Sequence, residues 1–140
     1  SRAQHVAQII EPSIESGKIV VCDRYVDSSI AYQGFGRRLG AETIEKLNAL
    51  AMNGAIPDLT ILLDVPVGIG LERRLKSRKQ KDRLDLQEKS FYERVSDGYR
   101  QLAKKYPNRY VVVDATKSIE AVAREIWNIV KAKINHHDKK

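Results

Sequence analysis

The stretch "LTILLDV", residues 59–65, is a near-continuous apolar run that contains one acid and is followed by proline. Such runs are typical of strands in a parallel sheet that is covered on both faces. Two shorter runs have the same character, "IVVC" at residues 19–22 and "YVVV" at residues 110–113, and an aspartate follows each of them. The sequence therefore predicts three parallel strands that end in acids.

Helical patterns separate these strands. Apolar residues recur at helical spacing, and glycine or proline bounds most of the patterns. The predicted helices cover residues 2–16, 44–54, 66–75, 91–107 and 119–134. Strands that alternate with helices predict an α/β fold. A chain of 140 residues with 42% hydrophobic content is long enough for one domain with a single core.

The net charge of +7 is concentrated in one segment. Between Glu72 and Arg83, seven basic residues accompany two acidic ones. Such a block is more typical of a mobile anion clamp or a solvated loop than of a basic stripe that binds a nucleic-acid duplex. A basic nucleic-acid-binding module stays open as an alternative. Residues 76–83 nevertheless contain none of the aromatic residues on which single-stranded bases stack.

Cysteine content and hydropathy indicate the cellular setting. The single cysteine, Cys22, excludes an internal disulfide and favours a reducing, cytoplasmic environment. No run approaches the roughly 18 consecutive apolar residues that indicate a membrane helix. We therefore expect no membrane partner.

The ends of the predicted strands are the candidate site, because ligands of open α/β sheets bind outside the carboxyl ends of the strands. Asp64 and Asp114 could merely N-cap the helices that follow them. Asp23 differs because Arg24 follows it, and a guanidinium can hold phosphate through two parallel hydrogen bonds. The alternative for Arg24 is a surface ion pair with Asp27 or Glu11.

No G-x-x-x-x-G-K-[ST] phosphate loop occurs in the sequence. The glycines of "GFGRRLG", residues 34–40, have a different spacing and are predicted to form turns. Because the chain opens on "SRAQHV" in helical phase, and shows three strands where about five are usual, we expect an N-terminal portion to be absent.

Four segments, in this order and spacing, resemble the bacterial thymidylate kinase family, whose members phosphorylate dTMP to dTDP with ATP. They are "SRAQHV", "VVCDRYVDSSIAYQGFGR", "NGAIPDLTILLDV" and "KDRLDLQEKSFYERVSDGY". The resemblance implies a P-loop nucleoside-monophosphate-kinase-like parallel sheet flanked by helices, without its first strands and P-loop. It implies one partial domain over residues 1–135, a polar tail over 136–140, and no turnover by this chain alone.

The resemblance also implies roles for the acceptor side of the site. Arg24 would hold the dTMP phosphate, with Asp23 beside it near Mg²⁺. Ser29 and Gln33 lie four residues apart, so one helical turn can direct both at a planar base. The remaining implied contacts are Tyr32 against the sugar and Arg2 to a thymine carbonyl.

On the donor side, the resemblance implies a lid over residues 76–88. Arg83 of "DRLD" is the first candidate for the residue that acts on the transferring phosphate, and Arg78 is the second. Arg73 would lie near the adenine. The implied cofactors are ATP and Mg²⁺ without a dedicated protein metal site, and the implied assembly is a homodimer that binds no nucleic acid. A deoxynucleoside kinase-like enzyme is the alternative within the same class.

Two further features have simpler interpretations. Ser28 is predicted to cap the helix after the strand, whereas Ser29 is predicted to contact the base. Tyr92, Tyr99 and Tyr106 recur every seven residues, which is typical of core packing or of a partner seam.

Overall fold

The computed structural model describes residues 2–77 and 89–138. Its elements, in chain order, are α1 (Arg2–His5), the π-helical segment π1 (Val6–Ile10), α2 (Glu11–Glu15), α3 (Val26–Ser29), the π-helical segment π2 (Ile30–Gly36), α4 (Ala41–Met52), β1 (Thr60–Asp64), α5 (Val67–Ser77), α6 (Lys89–Lys105), β2 (Tyr110–Asp114) and α7 (Ile119–His137). Helix α7 thus enters the segment predicted as a polar tail. Within the described ranges, no helix is long and apolar enough to cross a membrane.

Strands β1 and β2 pair in parallel, as the apolar runs predict. The register extends from Thr60 opposite Tyr110 to Asp64 opposite Asp114. The two terminal aspartates therefore lie side by side at the carboxyl edge of the sheet. A backbone hydrogen bond of 2.8 Å from Ala115 N to Asp64 O continues the pairing past the last residue of β2.

The predicted strand at residues 19–22 is wrong. Ile19 is 67% exposed, Val21 is 89% exposed and Cys22 is also exposed. A strand persists only where its backbone groups pair with a neighbour. In the described part of the chain the sheet contains β1 and β2 alone. Asp23 and Arg24 therefore project from a loop and not from the end of a strand.

The core lies where π2, α4 and α6 meet the sheet. Ile30, Ile44, Leu102 and Tyr110 form its buried cluster, one residue from each of these elements and one from β2. Burying apolar surface of this kind is the dominant favourable contribution to folding. It fixes the segment that carries the predicted nucleoside contacts against α6.

Glycines allow π2 and α6 to approach closely. A Cβ at Gly36 would come within 2.6 Å of Phe91 Cε2, and a Cβ at Gly98 within 2.7 Å of Phe35 Cδ2. The predicted turn role fails for Gly34 and Gly36, which are both helical. It holds for Gly40, whose φ of 92° lies in the left-handed region just before α4.

Candidate functional site

A cavity of about 430 Å³ lies beside the loop that precedes α3. Its lining residues are Arg2, His5, Val21, Cys22, Asp23, Arg24 and Tyr25. Three predicted site residues, from α1 and from the loop, thus share one cavity. Two of the three are arginines, which suit an anionic ligand.

The backbone of Arg24 adopts an unusual conformation. Its φ of 66° lies in the left-handed region, which costs a non-glycine residue roughly 1–3 kcal/mol. The guanidinium carbon lies 4.2 Å from the centre of the Tyr32 ring, a cation–π geometry. This contact orients the arginine, and it joins two predicted dTMP residues before any ligand is bound.

The alternative partners of Arg24 are engaged elsewhere. Asp27 accepts both hydrogen bonds of a fork from Arg109, and Glu11 accepts from Asn53 Nδ2 at 3.3 Å. The surface ion pair considered for Arg24 is therefore not formed. Its guanidinium is exposed toward the cavity, apart from its contact with Tyr32 and its proximity to Tyr99.

Arg2 is held by a buried amide that the sequence did not reveal. Its Nη1 donates to Asn48 Oδ1 at 2.9 Å, and Asn48 Nδ2 donates to the Val26 carbonyl at 3.1 Å. Asn48 is only 6% exposed, so both ends of its amide need partners. One side chain on α4 thereby connects α1 to the first residue of α3. In the sequence, the only indication of this role was that Asn48 is a polar residue within the helical pattern of α4.

The predicted base-reading residues follow on α3 and π2. Ser29 ends α3, while Tyr32 and Gln33 lie in π2. Gln33 is exposed and the other two are half-buried. Among residues 2–77 and 89–138, the Ser29 hydroxyl and the Gln33 amide make no hydrogen bond. Neither side chain, nor that of Tyr32, is among the residues that line the cavity. π-Helical turns nevertheless occur frequently at functional sites.

Ser28 does not cap the helix, contrary to the prediction. The N-cap position is Tyr25, which makes no side-chain capping hydrogen bond. The Ser28 hydroxyl instead accepts a hydrogen bond of 2.8 Å from Tyr99 Oη. The capping preference of serine was overridden by a partner 71 residues away in the sequence.

Asp27 and Arg109 connect this helix to the sheet. Arg109 Nη1 also donates to Thr60 Oγ1 at 2.8 Å, and its guanidinium carbon lies 4.7 Å and 5.0 Å from the ring centres of Tyr106 and Tyr110. Hydrogen bonding to Asp27 raises the pKa of Arg109, so the guanidinium remains charged. The sequence offered no pattern that joins these positions.

The two acids at the carboxyl edge of the sheet are not helix N-caps. Arg100 Nη2 donates to Asp64 Oδ1 at 3.2 Å. Asp114 accepts from both the backbone N and the hydroxyl of Thr116, and these hydrogen bonds lower its pKa. Ser118 caps α7 by accepting from Ala121 N at 3.2 Å.

Arg73, the predicted adenine residue, lies in α5, and its side chain contacts the loop that follows β2. Its Nη1 donates to the Ala115 carbonyl at 2.6 Å and its Nη2 to the Thr116 carbonyl at 3.2 Å. Arg73 therefore does not line the cavity that Arg2 and Arg24 share. Arg78 and Arg83, the predicted lid arginines, lie outside the described residues.

The residues present fit a magnesium ion that arrives with nucleotide phosphates. Mg²⁺ is usually held by one or two carboxylates and retains waters and phosphate oxygens. Asp23 is an exposed carboxylate on the cavity. In the part of the chain that the structure describes, no group of three or more His, Cys, Asp or Glu side chains could hold a metal ion.

Comparison with solved structures defines the class. The chain is similar to a crystal structure of thymidylate kinase from Ehrlichia chaffeensis, with a TM-score of 0.70 and 34% sequence identity over 93% of this chain and 58% of that one. The fold is that of a P-loop nucleoside monophosphate kinase. The family model described as "Thymidylate kinase" matches residues 1–126.

The curated relatives that match this chain are also thymidylate kinases. The chain is 45% identical to thymidylate kinase of Staphylococcus haemolyticus over 130 residues, and 46% identical to that of Geobacillus thermodenitrificans over 126 residues. The matches cover 93% and 89% of this chain but only 64% and 56% of those proteins. The chain belongs to the thymidylate kinase family and spans about two thirds or less of the length of these relatives.

Proposed function

We propose that the whole protein containing this chain transfers a phosphoryl group from ATP to dTMP and forms dTDP, and that these residues supply the dTMP side of the site. The observation that carries this proposal is the cavity on which Arg2, Asp23 and Arg24 meet. The segment that follows the loop, α3 and π2, carries the Ser29 hydroxyl and the Gln33 amide, which have no hydrogen-bond partner among the described residues. Membership of the thymidylate kinase family supports the choice of acceptor.

The acceptor phosphate is held by Arg24. Its guanidinium is exposed on the cavity and can form two parallel hydrogen bonds to phosphate oxygens. Phosphoryl transfer depends mainly on positioning and charge neutralisation, because its transition state requires little covalent help from the protein. The stack of Arg24 on Tyr32 orients the guanidinium before dTMP arrives.

The nucleoside is read by the residues that follow. The Ser29 hydroxyl and the Gln33 amide bind the edge of thymine, and Arg2 donates to a thymine carbonyl. Tyr32 packs against the sugar, where its ring leaves no room for a ribose 2′-hydroxyl. Asn48 fixes the position of Arg2 through the hydrogen bond described above.

The donor side requires residues beyond those described. Arg73 lies near the adenine, Arg83 or Arg78 acts on the transferring phosphate, and Mg²⁺ binds near Asp23. The 140 residues contain no phosphate loop, so they do not turn over dTMP alone. The whole protein is a cytoplasmic homodimer that binds neither nucleic acid nor membrane.

The test is an ADP-release assay of the whole protein with ATP, Mg²⁺ and one of three acceptors: dTMP, dUMP or thymidine. We expect dTMP to be preferred. Turnover of thymidine with none of dTMP would instead identify a deoxynucleoside kinase. Absence of turnover, with submicromolar and steeply salt-dependent binding of short DNA or RNA, would identify a nucleic-acid-binding module. Activity of residues 1–140 alone would contradict the proposed division of the site.

A further inference from the structure

Helix α6 presents three tyrosines at a spacing of seven residues, and each hydroxyl has a different partner. Tyr92 bonds with Arg74, Tyr99 with Ser28 and Tyr106 with Glu45. Tyr99 is the one of these three that bonds to the segment carrying the predicted dTMP contacts. The three side chains are of the same residue type and lie in α6 or directly after its last residue, so they can serve as controls for one another.

Tyr99 contacts that segment at two points. Its hydroxyl donates to Ser28 Oγ at 2.8 Å, directly before Ser29. Its ring packs edge-on against Tyr32, with ring centres 6.4 Å apart and planes at 81°. Residues 28 and 32 are four apart and therefore adjacent on one helical face. One side chain thus fixes both ends of a helical turn.

The contact reaches the phosphate-binding arginine through Tyr32. A further neighbour of Tyr32 is Arg24, whose guanidinium carbon lies 4.2 Å from the centre of the Tyr32 ring. If Tyr32 shifted, Arg24 would lose the surface against which it is oriented. Arg24 also lies near enough to Tyr99 to affect it electrostatically.

The Tyr99 hydroxyl is suited to act as a permanent donor. The side chain is partly buried, and this burial raises the pKa of Tyr99 above its ordinary value. The hydroxyl therefore remains protonated throughout the neutral range. Its hydrogen bond to Ser28 does not depend on pH in that range.

We propose that Tyr99 is a positioning residue for dTMP: through Ser28 and Tyr32 it holds the turn that reads the nucleoside and the arginine that holds the phosphate. This inference rests on the proposed function. In this role Tyr99 acts through its contacts with Ser28 and Tyr32, so its effect is on acceptor affinity. The donor nucleotide should be unaffected.

The experiment compares Tyr99→Phe with Tyr106→Phe in the whole protein. Both variants remove one hydrogen-bonded hydroxyl from α6 and keep the ring, so they should lower Tm comparably. Loss of one hydrogen bond corresponds to about a 2- to 10-fold effect. We expect Tyr99→Phe to raise KM for dTMP by that factor, with kcat and KM for ATP unchanged. Tyr106→Phe should leave all three constants unchanged.

A double-mutant cycle with Ser28→Ala identifies the route. If the effect passes through the Ser28 hydroxyl, the double variant raises KM for dTMP no further than either single variant. A multiplicative effect in the double variant would overturn this route.

An unchanged KM for dTMP in Tyr99→Phe, with an active parent protein, would overturn the inference alone. A parent protein that neither binds nor phosphorylates dTMP would overturn the proposed function, and this inference with it.

Discussion

Arg109 and Asp27 form a two-pronged ion pair across 82 residues of sequence. Nη1 donates to Oδ2 at 2.6 Å and Nη2 to Oδ1 at 2.9 Å. The two side chains are only 15% and 9% exposed. Asp27 lies in the first turn of α3, three residues after Arg24, and Arg109 directly precedes β2. The pair therefore anchors the beginning of α3 to the beginning of β2. The orientation of the helix that carries the proposed nucleoside contacts thus depends on an ion pair outside the cavity.

Breaking this pair should be costly. Arg109→Met keeps much of the side-chain volume but leaves Asp27 as a buried, uncompensated charge. We expect the free energy of unfolding of the whole protein to fall by about 3–5 kcal/mol. The matched control is Arg100→Met, which breaks an exposed ion pair with Asp64 and should cost at most about 1 kcal/mol. Urea denaturation measures both values, and equal losses would contradict the structural role of the buried pair.

Arg24→Gly should separate activity from stability. Glycine adopts a φ of 66° without strain, which offsets the lost cation–π contact. We therefore expect the free energy of unfolding to change by less than about 1 kcal/mol. Turnover of dTMP should fall at least about tenfold, because charge-assisted hydrogen bonds to the phosphate are lost.

Arg38→Gly is the control for this variant. Arg38 is also an exposed arginine with a positive φ, of 58°, but it lies outside the cavity. Its substitution should leave turnover unchanged. Equal loss of activity in the two variants would mean that general positive charge, and not the position of Arg24, matters.

The close approach of π2 and α6 predicts a stability difference between glycines. A Cβ at Gly36 would clash with the Phe91 and Val95 side chains, at 2.6 Å and 2.8 Å. Gly36→Ala should therefore lower the free energy of unfolding by about 1–3 kcal/mol. A Cβ at Gly68 in α5 would meet no tertiary neighbour within 4 Å among the described residues, so Gly68→Ala should raise it by about 0.4–1 kcal/mol. Thermal denaturation would contradict this packing if both variants were stabilised.

The turn after β2 predicts a pH effect. Two hydrogen bonds from Thr116 lower the pKa of Asp114. The stabilisation is therefore present at neutral pH and is lost as the pH falls through the lowered pKa. Thr116→Val removes the hydroxyl donor at 2.6 Å and should raise the pKa of Asp114 toward its ordinary value. Carboxyl NMR titration of both proteins measures this difference, and identical pKa values would show that the hydroxyl has no influence.

Local patterns predicted the elements that depend on local signals. Apolar runs located β1 and β2, and helical spacing located α4, α5, α6 and α7. The run at residues 19–22 has the same composition, but a strand also requires a neighbour, which a local pattern does not reveal. Hydrophobic periodicity likewise predicted a helix over residues 2–16 without distinguishing its π-helical segment π1, and it did not predict α3 and π2.

For the site, the sequence motif identified Arg2, Asp23 and Arg24, which the structure brings to one cavity, whereas Ser29, Tyr32 and Gln33 are not among the residues that line it. The motif did not reveal their supports, because Asn48, Tyr99 and Arg109 act through contacts distant in sequence. Tyr99 could be placed on a helical face by its spacing of seven residues. Its partner Ser28 could not be identified, because nothing local distinguishes Ser28 from a capping serine. The roles of Arg78 and Arg83 stay predictions.

The most direct test of the account is the affinity of the whole protein for dTMP relative to thymidine, measured by calorimetry for the parent and for Arg24→Gly. Because the two ligands differ only in the phosphate, their affinity ratio reports the phosphate-binding contribution of the cavity. We predict that the parent binds dTMP at least about tenfold more tightly, and that the ratio falls close to one in the variant. A parent that binds both ligands equally, or a variant that keeps the full ratio, would contradict the assignment of Arg24.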